Sequence, residues 1–398
     1  MNEAQLFYET LEQKQEYALL ILRIKHGRYT PLSKDDQERV LLTLCHMLTK
    51  QEALFLNEED YLLFIRRKHP LSIITWIEDM DDHLEQIHFL HAAIGIRFLQ
   101  GTDLFTICKK DAYLAMTHSQ DHYKYTTTYE FFHQELLATL QKQEEMYQLL
   151  QKALLNKQFS VFFQPKLHMR TNTLAGAEAL LRLHIQNQEV PLSSFLPLAK
   201  ANAFIRELDL YVLEHVCEFI SECQTQQLPL LPISINISPS SFMDGKFYTA
   251  RVHEIISQHD IDPHLIEFEL SEDIALQHSN FLYTFLNELQ KQGHRISLDD
   301  FGSGYSSLLL LGDLKIDTIK LDQQFFYPPF HQRKQLLVAS LIQTLHALNY
   351  QVLAEGVETK EVSEYLKSQS CDLIQGYFYH RPITQAEYRN LLNLPQSI

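Results

Sequence analysis

The sequence predicts an α/β chain in which a (β/α)8-like barrel follows a smaller α+β domain. Three observations carry this expectation. From residue 159 onward, eight strand-like apolar runs alternate with helical segments. Residues 1–128 instead mix short apolar runs and amphipathic stretches without a regular repeat. In the second half, polar residues fall within or at the ends of apolar strands, as the mouth of a barrel requires. A chain of 398 residues suits two domains better than one core.

In the first domain, YALLILRI (17–24), ALFLN (53–57), YLLFIRR (61–67) and HAAIGIRF (91–98) read as strands. Segments 35–50 and 75–89 read as amphipathic helices between them. Residues 129–158 place Leu136, Leu137, Leu140, Met146, Leu149, Leu150, Ala153 and Leu154 at helical spacing, with no Gly or Pro to interrupt them. This stretch is read as a connecting helix, or as a helix belonging wholly to one neighbour. The strands of residues 159–398 are SVFFQPKL, AGAEALLRL, LPISINIS, LIEFELSE, RISLDD, TIKLD, QVLAEGVE and DLIQGYF. Helical patterns at 206–222, 246–258, 279–292, 333–348 and 359–368 lie between most of them. Such repeats build a parallel barrel or a doubly wound sheet, and eight strands favour the barrel.

Composition narrows the function. No apolar run approaches the ~20 residues that span a bilayer, and MNEAQLFYETLEQ lacks the basic and hydrophobic regions of a signal peptide. Cytoplasm is the expected location, with no membrane span. Cys45, Cys108, Cys217, Cys223 and Cys371 include no CxxC pair. They are expected to be small buried hydrophobes rather than disulfides or zinc ligands. The histidines form neither HxH nor HExxH, which argues against a histidine metal site. A net charge of −16 disfavours nucleic-acid binding. A phosphate-ester substrate would need bound metal ions or well-placed Arg and Lys to overcome that field.

The chemistry lies at strand ends. Glu178, Asn236, Glu269, Asp299, Asp300, Lys320, Glu355 and Gln375 sit in or at the end of apolar strands, and only the Asp pair shares one. A barrel would gather them at one mouth. Carboxylates so crowded repel each other and raise each other's pKa unless cations intervene. Oxygen ligands suit Mg²⁺ or Mn²⁺, and the doubled Asp299–Asp300 invites a two-metal site able to activate water at a phosphodiester. Lys320 would add positive charge beside that pair.

At these residues the sequence resembles the EAL family of cyclic di-GMP phosphodiesterases. The matching motifs are FFQPK (162–166), AEALLR (177–182), ISINIS (233–238), FELSED (268–273), LDDFGSGYSSL (298–308), DTIKLD (317–322), LAEGVET (353–359) and IQGYF (374–378). The resemblance implies a barrel whose first strand runs against the others, and hydrolysis of cyclic di-GMP to linear pGpG. It implies Glu178, Asn236, Glu269, Asp299 and Asp300 as ligands of Mg²⁺ or Mn²⁺; Ca²⁺, larger and looser in geometry, is expected to bind and inhibit. It implies Glu355 as general base or water-orienting group, Lys320 near the attacking water, and Gln164, Arg182 and Gln375 as substrate contacts. Glu272 would hold the loop after Asp300, Glu358 would be a supporting carboxylate, and a homodimer would form through the barrel. Leu183, Lys200, Ala203 and Ser303 depart from the family's usual Trp, Glu, Gly and Thr, all at scaffold positions.

The first domain more faintly resembles a GGDEF domain, through NEAQLFYETL, ALLILRIKHGR and AAIGI. The signature loop would fall in LNEEDYLLF (56–64), where Gly-Gly is absent. The metal-binding positions would fall at Arg23 and Lys25, and a cation cannot ligate Mg²⁺. The expectation is a degenerate regulatory domain without cyclase activity, responding to a nucleotide or protein partner; an unrelated α+β domain is the alternative. The competing function for the whole chain is a receptor that binds cyclic di-GMP without cutting it. Intact ligand positions favour the enzyme.

Overall fold

In the computed structural model the described residues are all but 1–2, 26–31, 58–59, 67–68, 122–125, 187, 202, 239–244, 273–279, 303–314 and 395–398. The chain divides into two compact units, Met1–Met146 and Tyr147–Ile398.

The first unit is a five-stranded sheet with helices on both faces. Its strands are β1 (Tyr17–Lys25), β2 (Ala53–Asn57), β3 (Asp60–Arg66), β4 (His91–Phe98) and β5 (Thr128–Phe131), ordered β2-β3-β1-β4-β5. Only the β4–β5 pair is parallel. Alternation along β1 sends Leu20, Leu22 and Ile24 to one core and Leu19 and Ile21 to the other. The first core is closed by α2 (Lys34–His46) and α3 (Pro70–Glu85), the second by α1 (Glu3–Thr10) and α4 (Phe105–Asp121). Ser33 caps α2 by accepting from Asp36 N, and Pro70 opens α3. Asn57 pairs with Asp60 at the tip of the β2–β3 hairpin, the place expected for the signature loop.

The expected helix over 129–158 needs correction. Residues 128–131 add strand β5 beside β4, and helix α5 begins only at Gln134 and ends at Leu155. The run Thr-Tyr-Glu-Phe carries β-favouring residues, and the open edge of β4 supplies the partner that local periodicity could not show.

The second unit is a closed barrel. Its strands are β6 (Phe159–His168), β7 (Leu174–Ile185), β9 (Ile233–Asn236), β10 (Ile266–Ser271), β11 (Arg295–Phe301), β12 (Thr318–Leu321), β13 (Gln351–Ala354) and β14 (Leu373–Ile374), while β8 (Gln188–Val190) and β15 (Ile383–Thr384) flank it. Successive pairs from β7 through β9 to β14 are parallel, and β6 closes the ring antiparallel to both β7 and β14. The reversed first strand is as the resemblance implied. Helices α6 (Leu192–Ala201), α7 (Ile205–Thr225), α8 (Gly245–Gln258), α9 (Asn280–Lys291), α10 (Gln332–Ala347), α11 (Lys360–Ser368) and α12 (Gln385–Asn393) complete the unit. One core joins strand residues such as Phe163, Ile235, Phe268, Leu298 and Val352 to helix residues such as Val216, Phe285, Ile342 and Leu366. The five cysteines are free; four are buried as expected, but Cys45 is exposed on α2.

Candidate active site at the barrel mouth

The barrel carries its polar side chains on strand ends because each apolar strand turns charged only where it leaves the core. Period-two alternation decides which of them point inward. On β10, Phe268 and Leu270 pack with the hydrophobic core, while Glu267 and Glu269 are buried with polar partners. In register, Glu269 lies beside Asn236 on β9 and Ser297 on β11.

Lys320, on β12 and fully buried, is the hub. Its Nζ lies 2.5 Å from Glu269 Oε2, 2.7 Å from Glu355 Oε1, 2.9 Å from Asp299 Oδ1 and 3.5 Å from Glu178 Oε2. Asn236 donates to Glu178 Oε1 at 3.1 Å. Gln375 donates to Glu178 Oε2 at 2.7 Å and to Gln164 Oε1 at 3.1 Å. Eight strands or their immediate extensions thus supply one connected polar cluster, from residues spread between positions 164 and 375.

A bulge shapes the Asp pair. The pairing of β11 with β12 shifts register between Leu298 and Phe301, and Asp300 has a φ of +56°. A bulge re-aims side chains, so two consecutive residues need not point to opposite faces. Asp299, Asp300 and Glu355 accordingly can each offer one oxygen with all three within 4.8 Å of one another. Gly302 then takes a φ of +92°, and a Cβ there would sit 2.4 Å from the Phe325 ring. Its amide donates to Glu272 Oε2 at 2.9 Å, with Glu272 itself buried. Residues 303–314 of the segment that Glu272 was expected to hold lie outside the described residues.

The electrostatics follow from burial. Desolvation pushes Glu178 up, aided by Glu269 and Asp299 against Lys320. Burial raises Glu355 well above the usual carboxylate range despite Lys320. Asp300 is pushed up to about 6 by burial and by Asp299 and Asp322. Glu269 goes the other way. Burial alone would raise it, but Lys166 and Lys320 outweigh that and hold it at about 2. Burial would likewise lower Lys320, yet the four surrounding carboxylates keep it charged.

These donors fit a divalent cation. Five acidic side chains (Glu178, Glu269, Asp299, Asp300 and Glu355) outnumber the two ammonium groups, Lys166 and Lys320, and the raised Glu178, Asp300 and Glu355 are the groups that a cation would hold ionised. The oxygen donors are hard, as Mg²⁺, Mn²⁺ and Ca²⁺ prefer.

Two expected residues stand apart. Arg182 lies four residues beyond Glu178 on β7, roughly 13 Å farther along the strand. Its Nε pairs with Glu189 Oε1 at 3.2 Å and its guanidinium lies over Phe162. Glu358 is exposed beyond β13. Lys166 is among the buried polar residues that had no role in the sequence reading, with Ser234, Glu267 and Asp322. Lys166, in the FFQPK motif, donates to Glu269 Oε1 at 2.9 Å and to Ser234 Oγ at 2.7 Å. The signal was present: a lysine two positions from Gln164, at the same inward parity of an apolar strand.

The chain belongs to the EAL domain family, whose profile matches residues 148–382. It is 33% identical over 236 residues to the cyclic di-GMP phosphodiesterase PA2567 of Pseudomonas aeruginosa, covering 59% of this chain and 40% of that protein. It is 29% identical over 340 residues to the bifunctional diguanylate cyclase/cyclic di-GMP phosphodiesterase MucR of the same organism, covering 82% of this chain and 49% of MucR. Among solved structures, the PaMucR phosphodiesterase in its c-di-GMP complex is 29% identical with a TM-score of 0.58, over 61% of this chain and 99% of that one. The chain spans about a third to a half of the length of the curated relatives it matches. No described helix is long and apolar enough to cross a membrane.

Proposed function

We propose that this chain is a phosphodiesterase that hydrolyses one ester bond of cyclic di-GMP, giving linear pGpG, with Mg²⁺ or Mn²⁺ as cofactor. The carrying observation is the convergence of Glu178, Glu269, Asp299 and Glu355 on Lys320 at one end of the barrel. Family membership and the phosphodiesterase names of PA2567 and MucR support the substrate class.

In this reading Glu178, Asn236, Glu269, Asp299 and Asp300 hold the cations, two being the expected number. Bound there, the ions supply charge neutralisation and a water of lowered pKa. Glu355, whose burial makes it a stronger base, accepts the proton of the attacking water. Lys320, 2.7 Å from Glu355, orients that carboxylate and compensates its charge. Gln164 and Gln375 contact the substrate, and Gln375 Oε1 is buried with no hydrogen-bond partner among the described residues. Arg182, at the rim, takes a phosphate in exchange for Glu189. Glu272 anchors the chain just after the Asp pair.

For the first unit we propose a regulatory, GGDEF-like domain (1–128) without cyclase activity, joined through 129–158 to the phosphodiesterase domain (159–398). The MucR match, over 82% of the chain, extends into it. Arg23 forks onto Asp60 at 2.7 and 2.9 Å, and in this reading Arg23 stands at the position that the resemblance gives to a metal-binding carboxylate. The proposed location is cytoplasmic. The proposed partners are cyclic di-GMP, a second copy through the barrel, and a protein or nucleotide regulator of the first unit.

The test is incubation of the purified protein with cyclic di-GMP and Mg²⁺ or Mn²⁺. We expect pGpG, and none in excess EDTA. Full activity in EDTA overturns the metal assignment; tight binding without any turnover in either metal favours the non-hydrolytic receptor.

A further inference from the structure

Beneath the mouth lies a second ionic layer. Lys166 is 3% exposed, and its register partner on β7 is Gly176. The β6–β7 pairing shifts immediately after it, between Lys166 and Leu167. Its Nζ reaches Ser234 Oγ at 2.7 Å, Glu269 Oε1 at 2.9 Å and Glu267 Oε2 at 3.8 Å. All three partners are buried. Glu267 and Ser234 pair in register one layer below Glu269 and Asn236. Lys166 therefore ties the lower layer to the upper one.

The consequence falls on Glu269. Its Oε1 is held by Lys166 and its Oε2 by Lys320 at 2.5 Å. Only the Lys320 side is continuous with Asp299, Glu355 and Glu178. A carboxylate gripped from below cannot rotate to offer both oxygens to a cation. It is committed to one oxygen and one orientation. Glu267 gives the layer spare acceptor capacity, since its Oε1 has no hydrogen-bond partner among the described residues. Were Lys166 only a counter-ion, Glu267 could host it without engaging Glu269.

We propose that Lys166 is a positioning residue for divalent-cation binding: it fixes Glu269 from beneath so that a single oxygen is presented to the site. The inference rests on the metal-binding reading of the mouth. The two possible roles of Lys166 predict opposite signs. A bystander cation weakens metal binding by like-charge repulsion, so its removal should tighten binding. A positioning residue strengthens binding, so its removal should weaken it.

The experiment is calorimetric titration of the full chain with Mn²⁺, without substrate, for Lys166→Met and for the Lys166→Met/Glu267→Gln pair. The double variant keeps the net charge of the layer, which cancels most of the bystander effect and limits the folding penalty of an unpaired buried carboxylate. We expect Mn²⁺ affinity to fall by about tenfold or more in the double variant, with a melting temperature near that of the parent. Should the single variant fold, its affinity should fall too. Unchanged or tighter Mn²⁺ binding in the double variant overturns the proposal. Because the readout is binding, a parent protein that takes up Mn²⁺ but fails to cleave cyclic di-GMP would defeat the proposed activity and leave the role of Lys166 decided by the same titration. A parent that binds no Mn²⁺ overturns both.

Discussion

At the scale of single residues, Lys320 and Glu355 illustrate how burial sets chemistry. A lysine beside four carboxylates stays charged although desolvation opposes it, because removing the proton would leave those acids uncompensated. Glu355 sits among the same acids and becomes more basic. If it takes the proton of the attacking water, Glu355→Gln keeps the shape and loses the base. We expect turnover to fall at least ~10²-fold. Affinity for cyclic di-GMP measured in Ca²⁺, which should bind without supporting turnover, is expected to survive. Normal turnover by this variant would remove Glu355 from its assigned role. Glu178→Ala should be as inactive, but through loss of a cation ligand, so its apparent metal requirement should change as well.

At the scale of elements, the bulge in β11 and the strand before it act together. Glu272, just after β10, accepts from Gly302 N at 2.9 Å and so clamps the backbone two residues past Asp300. Glu272→Ala should reduce activity by more than its effect on melting temperature suggests. A parallel loss of both, traced by thermal melts beside rate measurements, would make Glu272 merely structural. The residue just before β11 carries a different sensitivity. His294 is buried against Phe268, its rings 5.0 Å apart, with Nδ1 3.0 Å from Pro263 O. Burial lowers its pKa to about 4. The unfolded chain, with an ordinary histidine, binds the proton more readily between about pH 6.5 and 4. The stabilisation is therefore complete above about pH 6.5 and is lost as pH falls toward 4, with an upper bound of about 3 kcal/mol. His294→Gln should be less stable at pH 7.5 but lose less on moving to pH 5. Equal losses in denaturant titrations at the two pH values would exclude His294 as the source.

At the scale of the whole molecule, each unit has its own core, so each should fold separately. We expect a fragment from Gln134 onward to remain folded and to differ from the full chain in hydrolysis rate or dimerisation. The full chain given GTP and Mg²⁺ should form no cyclic di-GMP. Arg23→Asp should not restore synthesis, since it would set a new carboxylate against Asp60 rather than rebuild a nucleotide site. Cyclase product in that assay, or identical behaviour of fragment and full chain, would overturn the regulatory reading.

Much of this was legible in residue order alone. Short apolar runs located all eight barrel strands, because a strand buried on both faces must be nearly continuous in hydrophobes. The same strands exposed their polar exceptions, so Glu178, Asn236, Glu269, Asp299, Lys320, Glu355 and Gln375 could be named before any contact was known. Local pattern could not supply partners. Strand β5 exists because β4 offers an open edge, and a four-residue run with helical neighbours does not announce that. Arg182 reads as a substrate contact from its motif; that the rise along β7 sets it beside Glu189, apart from the Lys320 cluster, only the fold shows. Lys166 was visible as a letter and silent as a function. Its meaning comes from Glu269 and Ser234, 103 and 68 residues away, and only closure of the barrel brings those atoms within hydrogen-bonding distance. Composition and periodicity determine which surfaces must be buried; which charges then meet is decided by the register and closure of the sheet.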